Sequence, residues 1–162
     1  MSDTLIQVYT VYIQAPASEV WDAITTSEYT NRWGYGGDTE YDFTPGGEYR
    51  NLTTDAMKAM GMGDVAISGT VVSVEVGRRL ELTWLPAWYP DAPPTLLTWE
   101  LTEFDGPLTR VVLTHDLTAF PALADEVAGG GEPAQGAGGW PWTLASLKTL
   151  VETGRPMVGS GS

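Results

Sequence analysis

The sequence predicts an α+β domain in which a curved antiparallel sheet grips a helix near the C-terminus. Helical periodicity over a long stretch is confined to Thr143–Val151, where Leu144, Leu147, Leu150 and Val151 form an apolar stripe. Roughly a hundred residues before it read mostly as strands, with apolar and polar side chains alternating. Two short helical segments lie between the first strand and that run. One amphipathic helix cannot bury its stripe alone, so the strands must supply the surface that receives it. A sheet curled around a helix in this way tends to leave a cavity.

Leu5–Gln14 is rich in β-branched and aromatic residues and reads as the first strand, with Leu5, Tyr9, Val11 and Ile13 on one face. Ala15-Pro16-Ala17-Ser18-Glu19 then switches to a helix carrying Val20, Trp21 and Ile24, capped by Ser18 or a residue beside Pro16. A second short helix is predicted from Thr26 through Tyr29 and Trp33, stopped by Gly34 and Gly36-Gly37. From Asp38 the period becomes two. Tyr41 and Phe43 alternate with acids, and Pro45-Gly46-Gly47 turns the chain into Glu48–Leu52. Asp55–Gly63, with three Met, predicts a mobile loop or a single helical turn over apolar surface.

Strands resume over Val65–Val76, Arg79–Leu85, Thr95–Phe104 and Leu108–Leu117, the last two joined by an Asp105-Gly106 turn. Leu80, Leu82 and Trp84 share a face, as do Leu97, Trp99 and Leu101, and Val111, Leu113, His115 and Leu117. A short helix over Phe120–Val127 and a Gly-rich linker lead to the final helix, which Gly154 and Pro156 close. The order is strand, two helices, six strands, helix. It forms a single domain over 1–157, followed by a tail or linker at 158–162.

The composition narrows the function. A net charge of −13 argues against nucleic acid and against an anionic membrane surface as partners. The absence of Cys removes disulfides, thiolate nucleophiles and Cys-based metal sites. No apolar run approaches the ~20 residues of a membrane span, and Met1-Ser2-Asp3-Thr4 does not open a secretory signal. A cytoplasmic protein is expected.

His115 is the sole histidine, so neither a two-His metal triad nor a Ser-His-Asp site has its parts. It reads chiefly as a buried neutral imidazole bonded to the backbone, and otherwise as a base or ligand contact. The acids Asp38, Glu40, Asp42, Asp55 and Asp64 lack a calcium-loop pattern and read mainly as a solvated strand face. Arg50 points outward. Gly34-Tyr35-Gly36-Gly37 resembles no phosphate loop. No cofactor and no metal are expected.

Large ligand pockets are mostly apolar with a few placed polar groups. The candidate lining is Trp33, Tyr35, Tyr41, Phe43, Tyr49, Trp84 and Trp99. It is completed by Leu113, His115, Phe120, Trp140, Trp142 and Leu144, and by Met57, Met60 and Trp88 in loops. Tyr35, Tyr49, His115 and the indole N–H groups would supply specificity. The Met57–Met62 loop and the loop holding Trp88 are candidate gates.

The chain resembles the START-like helix-grip superfamily, SRPBCC, and within it the activator-of-heat-shock-protein-90-ATPase homologue (AHSA1-like) family. The matching residues are Ile13–Trp21 (IQAPASEVW), Trp33, Asp42–Tyr49 (DFTPGGEY), Gly69–Leu82 (GTVVSVEVGRRLEL), Thr109–His115 (TRVVLTH) and Gly139-Trp140 leading into Leu144 and Leu147. The resemblance implies a seven-stranded antiparallel sheet around a long C-terminal helix with an apolar cavity between them, as in bacterial members. The expected function is binding of a small hydrophobic or aromatic ligand there, by a monomer or homodimer. One alternative is a cyclase or dehydratase acting on a polyketide-like or other apolar substrate, with His115 the candidate base. The other is a co-chaperone-like protein-interaction module.

Overall fold

The computed structural model describes residues 5–135 and 137–160. Seven strands form one antiparallel sheet: β1 (Ile6–Ile13), β2 (Thr39–Tyr41), β3 (Glu48–Leu52), β4 (Val65–Glu75), β5 (Arg79–Pro86), β6 (Thr95–Phe104) and β7 (Leu108–Asp116). Their spatial order is β1-β7-β6-β5-β4-β3-β2. Helices α1 (Ala17–Thr25) and α2 (Ser27–Thr30) lie between β1 and β2, α3 (Asp55–Ala59) between β3 and β4, and α4 (Ala124–Ala128) and α5 (Gly139–Thr153) after β7. This is the predicted α+β helix-grip architecture.

The alternation read from the sequence sets the two faces. Leu80, Leu82 and Trp84 of β5, Leu97, Trp99 and Leu101 of β6, and Val111, Leu113 and His115 of β7 are buried on the concave side. Leu144, Leu147 and Leu150 of α5 are buried with them, each worth roughly 1.5–3 kcal/mol when removed from water. Gly154 ends α5 at φ 75°, its N–H donating to Leu150 O at 2.8 Å. A left-handed residue there satisfies a carbonyl that the helix would otherwise leave open.

Some boundaries differ from expectation. Ser18 does not cap α1, because the helix already begins at Ala17; the Ala17 N–H instead donates to the Glu103 carboxylate at 2.7 Å. α2 stops at Thr30 rather than running through Trp33, whose indole N–H donates back to Ala23 O at 2.8 Å. Of the two readings of Asp55–Gly63, the helical turn forms, with Thr54 Oγ1 accepting the Met57 N–H at 3.2 Å. Phe120–Val127 splits into a 3-10 turn at Pro121–Leu123 followed by α4. Within 158–162, Ser160 folds back so that its hydroxyl lies 2.5 Å from that of Ser146; Gly161 and Ser162 lie outside the described residues, as do Met1–Thr4.

The register gathers the loops at one end. Leu52 pairs with Val65, Ile67 with Pro86, Leu96 with Asp116, and Asp116 with Ile6. The α3 segment, the loop after β5 and the segment after β7 therefore all leave the sheet together. α5 begins at this end, where Trp140 bonds to His115, and finishes at the other, where the Gln14 N–H donates to Glu152.

Curvature is introduced where β4 meets its neighbours. The register shifts between Val71 and Ser73 and between Asn51 and Leu52, and such bulges bend a sheet. Gly69, opposite Tyr49, passes so close to β5 that a Cβ there would come within 2.0 Å of Thr83 O. Backbone cannot yield as a flexible side chain does. Gly69→Ala is therefore expected to cost roughly 2 kcal/mol or more. Urea denaturation measures this, and a change below about 0.5 kcal/mol would show that the strands separate freely there.

Candidate functional site

His115 lies on the concave face near the end of β7 where α5 begins, and is 0% exposed. β7 points it inward between Leu113 and Leu117, as its alternation requires. The Trp140 indole N–H donates to His115 Nδ1 at 3.1 Å, and Thr95 Oγ1 lies 2.7 Å from Nε2. An indole only donates, so Nδ1 must accept and the ring proton sits on Nε2. Nε2–H then donates to Thr95 Oγ1, whose own proton goes to Trp84 O at 3.2 Å. The partners are side chains, where a backbone bond was expected. Burial pulls the imidazole down to about 4, against a smaller opposing effect of Asp116. With both nitrogens engaged, the ring is a structural acceptor and donor and has no lone pair free for a base.

The predicted lining residues fall into several groups. Trp33, Trp84, Trp99 and Trp140 pack with His115: Trp84 stands edge-on to His115 at 5.0 Å, Trp140 lies 6.0 Å from Trp84 and 6.2 Å from Trp99, and Trp33 lies 6.2 Å from Trp99. Leu113 and Leu144 are buried in the same interior. These rings pack on one another between sheet and helix.

A second group stacks along the β2–β3 hairpin, with Tyr41 lying 4.7 Å from Phe43 and 5.4 Å from Tyr49. Tyr35 packs on Trp142 at 4.7 Å, and its hydroxyl accepts the Gly138 N–H at 3.0 Å. Phe120 meets Tyr89, on the loop after β5, at 5.2 Å. Met57 is half-buried against the core, whereas Met60 and Trp88 are 81% and 46% exposed on their loops.

Thr95 and Ser146 went unnominated. Thr95 is linked to His115 only by strand pairing across twenty positions. Ser146 interrupts the apolar stripe of α5, and its hydroxyl accepts the Gly34 N–H at 2.9 Å. A polar residue inside an apolar stripe was the available signal.

Two grooves, of about 440 and 340 Å³, open at the β2–β4 corner, and neither has a residue of α5 or of the indole group in its lining. Glu40, Asp42, Glu48 and Arg50 line the larger; Arg50 points outward, as predicted, and pairs with Glu40. Among the described residues no group of acids, His or Cys is arranged to hold a metal ion, and no helix is long and apolar enough to cross a membrane.

Residues 14–152 match the family model described as activator of Hsp90 ATPase homolog 1-like protein. The chain belongs to this family. Among solved structures, this AHSA1-like chain is similar to CalU16 from Micromonospora echinospora at 22% identity and a TM-score of 0.67, covering 95% of this chain and 78% of that one. It is similar to DynU16, a protein in the dynemicin biosynthetic locus, at 26% identity and a TM-score of 0.67. That match covers 93% of this chain and 48% of DynU16, so the AHSA1-like chain spans about half of DynU16's length. An HSP90 activator from Plasmodium falciparum, PFC0360w, is similar at 18% identity and a TM-score of 0.56, covering 69% of this chain and 72% of that one. None of the curated proteins compared with it matches the chain. SRPBCC domains are a ligand-binding fold, and this AHSA1-like chain has that fold.

The lowered pKa of His115 has a definite sign. The unfolded imidazole takes up a proton near pH 6.5 and the folded one only near 4, so the unfolded state binds more protons between them. Stability is then fully present above about 6.5, falls as the pH drops through that window, and levels off below it, by roughly 3 kcal/mol in all. Hydrogen bonds from Thr118 and Lys148 hold Asp116 and Glu152 below their ordinary values, 3.8 and 4.5. Their stabilisation is lost as the pH falls from those values, so the slope between pH 6.5 and 5 belongs to His115. His115→Gln is expected to be less stable at pH 7 and nearly flat over that interval. Urea melts at stepped pH check this, and an unchanged slope excludes a buried neutral imidazole.

Proposed function

We propose that this chain binds a small hydrophobic or aromatic ligand between the sheet and α5, admitted at the end where Trp140 begins the helix. The observation that carries the proposal is the apolar surface left in water at that end. Trp33, Trp140, Phe120, Tyr89 and Met57 pack against the core yet stay partly exposed. Trp88 and Met60 are more exposed still, on the two loops that leave the sheet there. Large apolar side chains at one mouth mark a surface awaiting a partner, worth roughly 25 cal/mol per Å² covered before association costs.

The Met57–Met62 loop and the loop holding Trp88 act as gates in this reading, and the indole group reorganises or forms the floor. The position of DynU16 in a biosynthetic locus supports a small organic molecule as the ligand class. His115 has both nitrogens engaged within the chain, which favours binding over His-based cyclase or dehydratase chemistry. The protein would act in the cytoplasm as a monomer or homodimer.

N-phenyl-1-naphthylamine, an apolar fluorescent probe, tests the reading. It is expected to bind at one saturable site with a dissociation constant of roughly 1–10 μM, quenching Trp emission. Trp140→Ala is expected to weaken it about tenfold or more, because the ring forms part of the wall. Trp88→Ala and Met60→Ala are expected to change the association and dissociation rates while leaving the affinity within about threefold. Unchanged Trp emission across a panel of apolar and aromatic compounds, together with no co-purifying small molecule in native mass spectra, would falsify the proposal.

A further inference from the structure

The concave face carries few polar groups suited to recognising a ligand, and most are bonded within the chain. Tyr35 OH accepts from Gly138, the Trp33 indole donates to Ala23 O, and Trp140 and Thr95 occupy both nitrogens of His115. Among the described residues, two buried side-chain hydroxyls have no partner, those of Thr30 and Tyr49. A helical threonine can turn its hydroxyl onto the carbonyl four residues back, here that of Thr26. A phenol has no such recourse, because its oxygen rides at the far end of a rigid ring.

Tyr49 is 2% exposed, on the inward face of β3 between outward Glu48 and Arg50. It pairs with Tyr41 across β2 and with Gly69 across β4, and a Cβ on Gly69 would come 2.6 Å from its Cε1. The missing side chain at 69 therefore makes the room its ring occupies. Tyr41 stacks on Tyr49 at 15° and Phe43 on Tyr41 at 13°, so one aromatic stack runs from two partly buried rings to a fully buried one. Burial, with Tyr41 beside it, holds the Tyr49 phenol well above its ordinary 10, so the group stays neutral and able to donate. A buried hydroxyl left unbonded costs the desolvation of that group in full, and native folds keep few of them.

We infer that the Tyr49 hydroxyl is the polar anchor of the ligand site, and that the ligand is an aromatic compound carrying a hydrogen-bonding oxygen, a ketone or a phenol. Its ring packs against the Tyr41–Phe43 stack and its oxygen meets the phenol. The inference rests on the binding function proposed above, and the two fail separately.

The first test needs no ligand. Tyr49→Phe removes an unbonded buried hydroxyl and is expected to raise the melting temperature by about 3 °C. A fall means that the hydroxyl is already bonded, to the chain or to a held water, and overturns the anchor. The second compares 1-tetralone with tetralin, the same rings with and without the ketone, by titration calorimetry. The natural chain is expected to prefer the ketone about tenfold, the factor one net hydrogen bond supplies. In Tyr49→Phe that preference disappears while tetralin affinity stays within about twofold. A preference that survives in the variant, or equal binding of both compounds to the natural chain, overturns the anchor and leaves the binding function standing. If neither compound binds while N-phenyl-1-naphthylamine does, the anchor falls and the binding function stands; if none of the three binds, the binding function falls.

Discussion

The hydrogen bond from the Trp140 indole to His115 Nδ1 ties the first turn of α5 to the sheet near the end of β7, and the concave face is organised around it. Because an indole can only donate, it fixes the tautomer of the imidazole. The imidazole in turn fixes the direction of the bonds through Thr95 to the Trp84 carbonyl. Each group in this chain has a donor facing an acceptor, so a fully buried polar line carries no orphan. A protonated imidazole would set two donors nose to nose with the indole. It would also place a cation by the N-terminus of α5, where the helix dipole is positive. Burial and hydrogen-bond direction thus favour the neutral ring together.

A brace of smaller bonds holds the same half of α5 from the side. The Ser146 hydroxyl accepts from Gly34 and meets the Ser160 hydroxyl, while Tyr35 packs on Trp142 and accepts from Gly138. The far half is fixed differently, by Lys148 reaching Tyr12 O and by Glu152 reaching Gln14 N. The helix is therefore bonded to segments at both of its ends, and the apolar stripe between them provides the burial.

Strand faces and the helical stripe were legible in the sequence because side-chain direction follows backbone period. Period two turns Leu113 and His115 inward, and the i, i+3 spacing gathers Leu144, Leu147 and Leu150. The same rule identified Arg50 as outward. Period gives direction and not distance, so the sequence could nominate Trp33, Trp84, Trp99 and Trp140 as lining without showing that they pack on one another. Long-range pairs were also out of reach. Glu103 caps α1 from 86 positions away, and Thr95 meets His115 only through the register of β6 on β7. Exposure of Trp88 and Met60 follows from their loops, which no periodic pattern constrains.

The packed indoles have an optical consequence. Trp33, Trp84, Trp99 and Trp140 form a chain of neighbours with centroids about 6 Å apart, well within the range of excitonic coupling and energy transfer between indoles. Excitation absorbed by one is shared among all four, and their fixed angles give a near-ultraviolet circular dichroism that belongs to the group and not to any single residue. A displacement of one ring alters the spectrum of the whole set. The interior of this domain thus carries its own label-free reporter, and Trp88, set apart on its loop and 46% exposed, is placed to emit separately from the group.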